Sequence, residues 1–268
     1  MIMLYSYAVT LLILCPLIFL ASFIDAVAGG GGLISLPAYV LVGLPIHNAY
    51  GTNKFVSSMG TATAVVNYLR NGAVDFYAAV PGALGAILGS WIGTRLALSL
   101  SPRVLQLCLM VILPMVGVFI LARQGKRNKG PEGTDEVKEA GLRPKVILSC
   151  AIGLVFGCYD GFFGPGAGMF MTLGLLGLVR LDLIKAVGST KVINLASNSA
   201  SMVTWLVNGK VLFNIALPCV ACSVLGGFLG SRLAVKIGKK FIRFILALVT
   251  LLLFIKILSD LLKGYLAG

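Results

Sequence analysis

The sequence predicts an all-α integral membrane protein made of two inverted-topology repeats. Each repeat opens with a broken helix or re-entrant hairpin at a glycine-rich motif and continues through three transmembrane helices. Three observations carry this reading. Of the 268 residues, 58% are hydrophobic and only 12% charged. Surface-to-volume scaling leaves too much area facing outward for a soluble domain to hide that much apolar surface. The chain also divides into uncharged runs close to the roughly 20 residues that cross a bilayer. Finally, its first half matches its second.

Composition excludes a soluble enzyme, a nucleic-acid-binding module and a disordered chain. The net charge of +13 would suggest nucleic acid in a soluble protein, but here the positions of the charges matter more than their sum. The apolar run from Leu4 to Ile24 has no basic segment before it and no polar mature domain after a cleavage site. It reads as a retained membrane segment rather than a signal peptide. Six cysteines lie in apolar stretches, and Cys219 and Cys222 read as packing residues rather than a redox pair. A single histidine, His47, and the lack of a metal cluster or nucleophile motif argue against an enzyme, a metal site or a cofactor.

The uncharged runs are 55–69, 76–94, 104–122, 192–209 and 211–231, with a further apolar stretch at 244–258. Two regions are too long for one crossing. As a single helix, Leu4 to Asn53 would extend about 75 Å, against a hydrocarbon core of roughly 30 Å. The four consecutive glycines Gly29 to Gly32 supply the break, and a short run to Gly43 and Pro45 follows. The stretch from Val146 to Val179 has the same design, with Gly161-Phe-Phe-Gly-Pro-Gly-Ala-Gly168 at its centre.

At an offset of 135, Asp25 falls on Asp160 and Gly29 on Gly164. At 137, Lys54 falls on Lys191, Asn71-Gly72 on Asn208-Gly209, Pro81 on Pro218, and Arg95-Leu96 on Arg232-Leu233. Residues 1–122 therefore form a first transmembrane repeat and 146–268 a second. The glycine-rich, hydrophilic stretch 123–145 reads as the linker. With that linker in the cytoplasm and odd crossings per repeat, 15 of the 22 Lys and Arg lie inside and five outside. The positive-inside rule favours this inverted arrangement, with both termini outside.

Paired broken helices in inverted repeats are a design of secondary transporters, whose site lies near the midplane between half-helix N-termini. Here those N-termini are Gly30, Gly31 and Gly32 in one half and Gly164, Gly166 and Gly168 in the other. Their N–H groups would attract an anion; the duller reading is close helix crossing. Lys191, Asn194, Asn198 and Ser201 share one helical face, and Asn53, Ser57, Thr61 and Ala64 occupy nearly the same face in the first half. Buried in lipid, such stripes face protein, water or ligand. Lys54 and Lys191 either balance an anionic substrate or snorkel to the interface. Asp25 and Asp160 stand just before the breaks, as coupling carboxylates or as caps. Tyr68 and Trp205, near helix ends, fit an interfacial belt.

The motifs Asp25-Ala-Val-Ala-Gly-Gly-Gly-Gly-Leu-Ile-Ser-Leu-Pro37, Gly43-Leu-Pro45 and Gly51-Thr-Asn-Lys54 resemble the opening repeat of the sulfite exporter TauE/SafE family. Asp160-Gly-Phe-Phe-Gly-Pro-Gly-Ala-Gly168 with Gly188-Ser-Thr-Lys191 is similar to its second motif, although Pro165 and Ala167 replace glycines of the first. The resemblance covers nearly the whole chain. It implies a multi-pass transporter of a bacterial or archaeal inner membrane. The implied cargo is sulfite or a small organosulfur anion such as a sulfonate or sulfoacetate. The binding residues expected are the six glycines above with Asn53, Lys54, Ser57, Thr190, Lys191, Asn194 and Asn198. No ATP-binding motif occurs, so an ion or concentration gradient is the expected energy source, with a proton or sodium ion as the candidate coupling ion. The partners expected are the small anionic substrate and the lipid bilayer, with no nucleic acid; the sequence leaves the oligomeric state open. An anion channel with the same site is the nearest alternative, and an intramembrane enzyme with Asp25 and Asp160 as an acid–base pair the more distant one.

Overall fold

The computed structural model describes residues 6–112, 115, 141–238 and 241–242. Residues 123–140 of the stretch read as the linker, and the apolar run 244–258, lie outside the described residues. Among those described, the chain is all-helical, with no strand. In chain order the helices are α1 (Tyr7–Ala28), α2 (Gly32–Leu41), α3 (Ile46–Arg70), α4 (Phe76–Ser99) and α5 (Pro102–Ile112). They continue with α6 (Leu142–Phe162), α7 (Ala167–Gly174), α8 (Leu183–Val207) and α9 (Phe213–Ile237). A π turn, Leu175–Val179, extends α7.

Local chemistry sets the element ends. Gly29 ends α1 in the left-handed region, φ 82°, and its N–H donates to Asp25 O, a cap that glycine makes without steric cost. The second break is bounded by Gly164 and Gly166, at φ 90° and 82°. Pro45 stands at the N-cap of α3. The α3–α4 and α8–α9 hairpins turn on Asn71-Gly72 and Asn208-Gly209, both glycines at φ 63°. Asp75 caps α4 by accepting from Ala78 N, and Asp182 caps α8 by accepting from Ile184 N.

Four helices, α1, α4, α6 and α9, are long and apolar enough to cross a membrane. Helices α3 and α8, of 25 residues each, fall outside that set because they carry the polar stripes, and they are packed centrally. Leucines and isoleucines such as Leu12, Leu88, Ile147 and Leu217 are exposed on the outer faces. In water such a surface would be a liability; in hydrocarbon it is solvated.

Glycines set the helix pairings. Gly226 of α9 lies on the backbone of Phe19 and Phe23 in α1, and Gly230 on Phe23. Gly85, Gly89 and Gly93 of α4 lie on Cys150, Leu154 and Cys158 of α6. Contacts climb in step, so α1 runs parallel to α9, and α4 to α6. No Cβ fits at these crossings: one on Gly89 would sit 2.7 Å from Cys158 N. This is the small-residue packing on which membrane helices depend.

Hydrogen bonds also align α3 with α9 and α4 with α8. Leu212 N donates to Thr52 Oγ1, Ser223 Oγ to Val56 O, and Asn67 Nδ2 to Ser231 Oγ. Asp75 N donates to Ser189 Oγ, Ser90 Oγ donates to Ser197 O, and Thr94 shares a hydroxyl bond with Ser201. Near one end α3 and α8 meet at Tyr50 and Trp205, and near the other at Tyr68 and Gly188. They are therefore antiparallel. Helices α1, α3 and α9 run one way, and α4, α6 and α8 the other.

Tyr68 and Trp205 differ from the belt expected of them, since both are fully buried. Tyr68 OH donates to Ala26 O and so fixes the end of α1. Trp205 packs against Tyr50 and His47. Their positions near helix ends matched a lipid interface, but they lie on the faces of α3 and α8 that turn to protein. The six cysteines are free thiols, and Cys219 lies in an apolar core cluster, as packing would have it.

Candidate functional site

The two breaks meet. Met169 N donates to Gly29 O at 3.0 Å, joining the start of α7 to the end of α1. The approach is so close that a Cβ on Gly29 would stand 2.6 Å from Gly168 C. Only glycine at φ 82° accommodates both the turn and the contact. Tyr159 OH donates to Pro165 O at 2.7 Å and so secures the second break.

Around this junction is a cavity of about 40 Å³. At roughly 10–15 Å³ per water on such a measure, it has room for a few waters or one small polyatomic ion. Gly31, Gly32, Gly164, Gly166 and Gly168 line it from the breaks. Asn53, Lys54 and Ser57 line it from α3, and Asn194 and Asn198 from α8. Asp25 and Asp160 complete the polar wall. Gly30, Thr190 and Lys191 are not part of the lining. Thr190 Oγ1 instead accepts a bond from Thr172 Oγ1, and Lys191 is sealed behind the wall.

Three serines that the sequence reading did not single out, Ser22, Ser35 and Ser223, also reach the cavity. Ser22 Oγ donates to Ser223 O of α9, and Ser223 Oγ, 3.2 Å from Ser22 Oγ, donates to Val56 O of α3. They are isolated in apolar runs, and no spacing distinguishes them from ordinary packing serines.

The charges are exchanged between the two halves of the chain. Lys54 Nζ lies 2.8 Å from Asp160 Oδ2, and Lys191 Nζ lies 2.9 Å from Asp25 Oδ2. Lys54 also donates to Asn198 Oδ1 at 2.9 Å. Asn198 Nδ2 donates to Asn194 Oδ1, and Ser197 Oγ donates to Asp160 Oδ2. Asp25 accepts Gly31 N on its other oxygen, at 3.3 Å. Asp25 thus both caps the break and pairs a lysine. The snorkelling alternative fails for both lysines, because both are buried and ion-paired.

The N–H groups at the breaks divide into two sets. Gly31 N is taken by Asp25, and Ala167 N, Met169 N and Phe170 N by nearby carbonyls. The N–H groups of Gly32, Gly166 and Gly168 have no hydrogen-bond partner among the described residues, and all three glycines border the cavity. Unpaired donors at helix starts, beside an ammonium, form an arrangement that attracts negative charge.

The family model described as sulfite exporter TauE/SafE matches residues 14–257. The chain belongs to this family. It is 34% identical over 242 residues to a probable membrane transporter protein of Haemophilus influenzae, covering 90% of this chain and 92% of that one. It is 35% identical over 243 residues to the probable membrane transporter protein ORF9 of Sinorhizobium sp, covering 90% of each. Against the probable membrane transporter protein YfcA of Escherichia coli K12 the identity is 31% over 241 residues, covering 90% of this chain and 87% of the relative. No solved structure matches. As a TauE/SafE protein, the chain is a membrane transporter and not an enzyme.

Proposed function

We propose that this transporter carries small sulfur-containing anions, such as sulfite, sulfonates and sulfoacetate-like compounds, by alternating access around the cavity at the two breaks. The observation that carries the proposal is the meeting of three unpartnered N–H groups, of Gly32, Gly166 and Gly168, with the Lys54 ammonium around one cavity. A sulfonate spreads one negative charge over three acceptor oxygens. Its desolvation calls for several donors together, which these groups and the amides of Asn194 and Asn198 supply.

The alternating movement is that of two inverted repeats, 1–122 and 146–268, joined by a cytoplasmic linker at 123–145, with both termini outside. Several features support this reading. α1, α3 and α4 correspond in sequence to α6, α8 and α9, and each runs opposite to its counterpart. The cytoplasmic side is marked by Arg70, Lys145, Lys185 and Lys236, which end or begin helices at one end of the bundle. The relatives come from bacteria, and the location proposed is the bacterial inner membrane. A proton or sodium gradient drives the movement.

The test is binding of sulfite, methanesulfonate, sulfoacetate, sulfate and acetate to the purified protein, followed by flux into proteoliposomes. Saturable, gradient-driven uptake of the sulfur anions is expected. Flux that rises linearly with concentration would support a channel instead, and no binding of any sulfur anion would overturn the cargo assignment.

A further inference from the structure

The cavity wall carries Lys54, Asp160 and Asp25, and Lys191 stands behind Asp25. Two cations and two carboxylates leave the site neutral before any cargo enters. An anion arriving alone would leave a net charge beside side chains that are only 3% and 5% exposed, which is costly. Neutrality returns when one carboxylate takes up a proton.

We propose that Asp160 is that carboxylate: the cargo anion replaces it on Lys54 while Asp160 binds one proton, so anion and proton are carried together, one to one. The inference rests on the anion-transport reading and deepens it by naming the coupling ion. The balance is simple. The proton comes from water and goes to the Asp160 carboxylate, no covalent bond to the cargo forms, and the Lys54 ammonium exchanges one counter-anion for another.

Geometry selects Asp160 over Asp25. Both members of the Lys54–Asp160 pair line the cavity, so cargo can reach the ammonium that Asp160 releases. Asn198 Oδ1 continues to hold Lys54 during the exchange. Ser197 Oγ, which donates to the carboxylate, has lone pairs free to accept from the neutral acid. By contrast, Lys191 is fully buried and outside the lining. Neutralising Asp25 would strand that ammonium where no cargo can follow, and would weaken the cap on Gly31 N.

The surroundings of Asp160 leave few competitors. From α3 it faces Lys54, and across the cavity from α1 it faces Asp25. Helix α8 presents Ser197, Asn194 and Asn198, with Lys191 turned to Asp25. Helix α4 meets this turn of α6 through Ser90 and Thr94. On α6 itself Tyr159 is engaged with Pro165 O.

The experiment titrates the full-length protein with methanesulfonate in weakly buffered solution and reads proton uptake with a pH indicator. Methanesulfonate stays ionised throughout, so any proton taken up goes to the protein. Wild type is expected to take up one proton per anion bound, and its Kd to rise about tenfold per pH unit, the slope that one linked proton requires. Asp160→Asn is expected to bind the anion with no proton uptake and a Kd flat in pH. Wild-type binding without proton uptake, or undiminished uptake in Asp160→Asn, would overturn the inference. Should that variant fail to fold, the wild-type stoichiometry and slope still decide. Failure of wild type to bind methanesulfonate, sulfoacetate or sulfite would instead overturn the anion-transport reading beneath it.

Discussion

Lys54–Asp160 and Lys191–Asp25 arise from matched positions in the sequence, yet they occupy different environments. The first pair borders the cavity with both partners. In the second, the lysine side chain is 1% exposed and the aspartate 21%. Asp25 faces the cavity, and its lysine does not. The two matched pairs thus differ in access to the cavity: both partners of one border it, and only the aspartate of the other does. The glycine crossings form a second comparison: Gly89 of α4 and Gly226 of α9 make matching backbone contacts, although α6 adds Gly153, Gly157 and Gly161 to its crossing and α1 adds none.

The sharpest way to separate the pairs is to neutralise each carboxylate. Asp25→Asn leaves the Lys191 ammonium buried without a counter-charge, and breaking a buried pair this way costs about 3–5 kcal/mol. Both lysines are buried, at 3% and 1% side-chain exposure, so a fall in the thermal unfolding temperature in detergent is expected for both variants, larger for Asp25→Asn because Lys54 keeps its bond to Asn198 Oδ1 in Asp160→Asn. Equal losses would abolish the distinction between the two pairs.

The helix crossings should answer alike. Gly89→Ala and Gly226→Ala each push a methyl into a neighbouring backbone, in α6 and α1 respectively, with an overpacking cost of about 1–3 kcal/mol. Thermal unfolding is expected to show similar losses in the two variants. A loss confined to one would mean that the two crossings are not equivalent.

Gly31 borders the cavity and is also tightly packed. A Cβ on Gly31 would come 2.6 Å from Asp25 Cβ and strike Ala21 O. Gly31→Ala is therefore expected to destabilise the α1–α2 hairpin as well, as thermal unfolding will register. Smallest of all are Gly72→Ala and Gly209→Ala. Both glycines lie at φ 63° with nothing within 4 Å of a new Cβ, so only the left-handed backbone penalty remains, about 1 kcal/mol. Matched small shifts are expected; a large shift in one would reveal a contact there.

Much of the cavity lining was legible in the sequence. The consecutive glycines marked both breaks, because no continuous helix tolerates them, and carboxylates and lysines inside apolar runs stood out by their cost. The helical face of Asn194 and Asn198 followed from their spacing. The exchange of partners between halves was not legible. Lys54 follows Asp25 closely in the chain, and only the crossing of α3 over α8 brings it to Asp160 instead. The same limit hid the true setting of Tyr68 and Trp205, since periodicity locates a helix end without saying whether lipid or protein lies beside it. Ser22 and Ser223 had no pattern at all; they face the cavity because α1 and α9 pack on glycines.

The central claim is that an anion is held against Lys54 in the cavity between the breaks. Isothermal titration of wild type and Lys54→Gln with sulfoacetate tests it most directly, with thermal unfolding as a check on the fold. Removing a charge-assisted bond of about 1–3 kcal/mol predicts a Kd weaker by roughly tenfold to hundredfold in a variant that remains folded. An unchanged Kd in folded Lys54→Gln would contradict the claim and put the anion elsewhere.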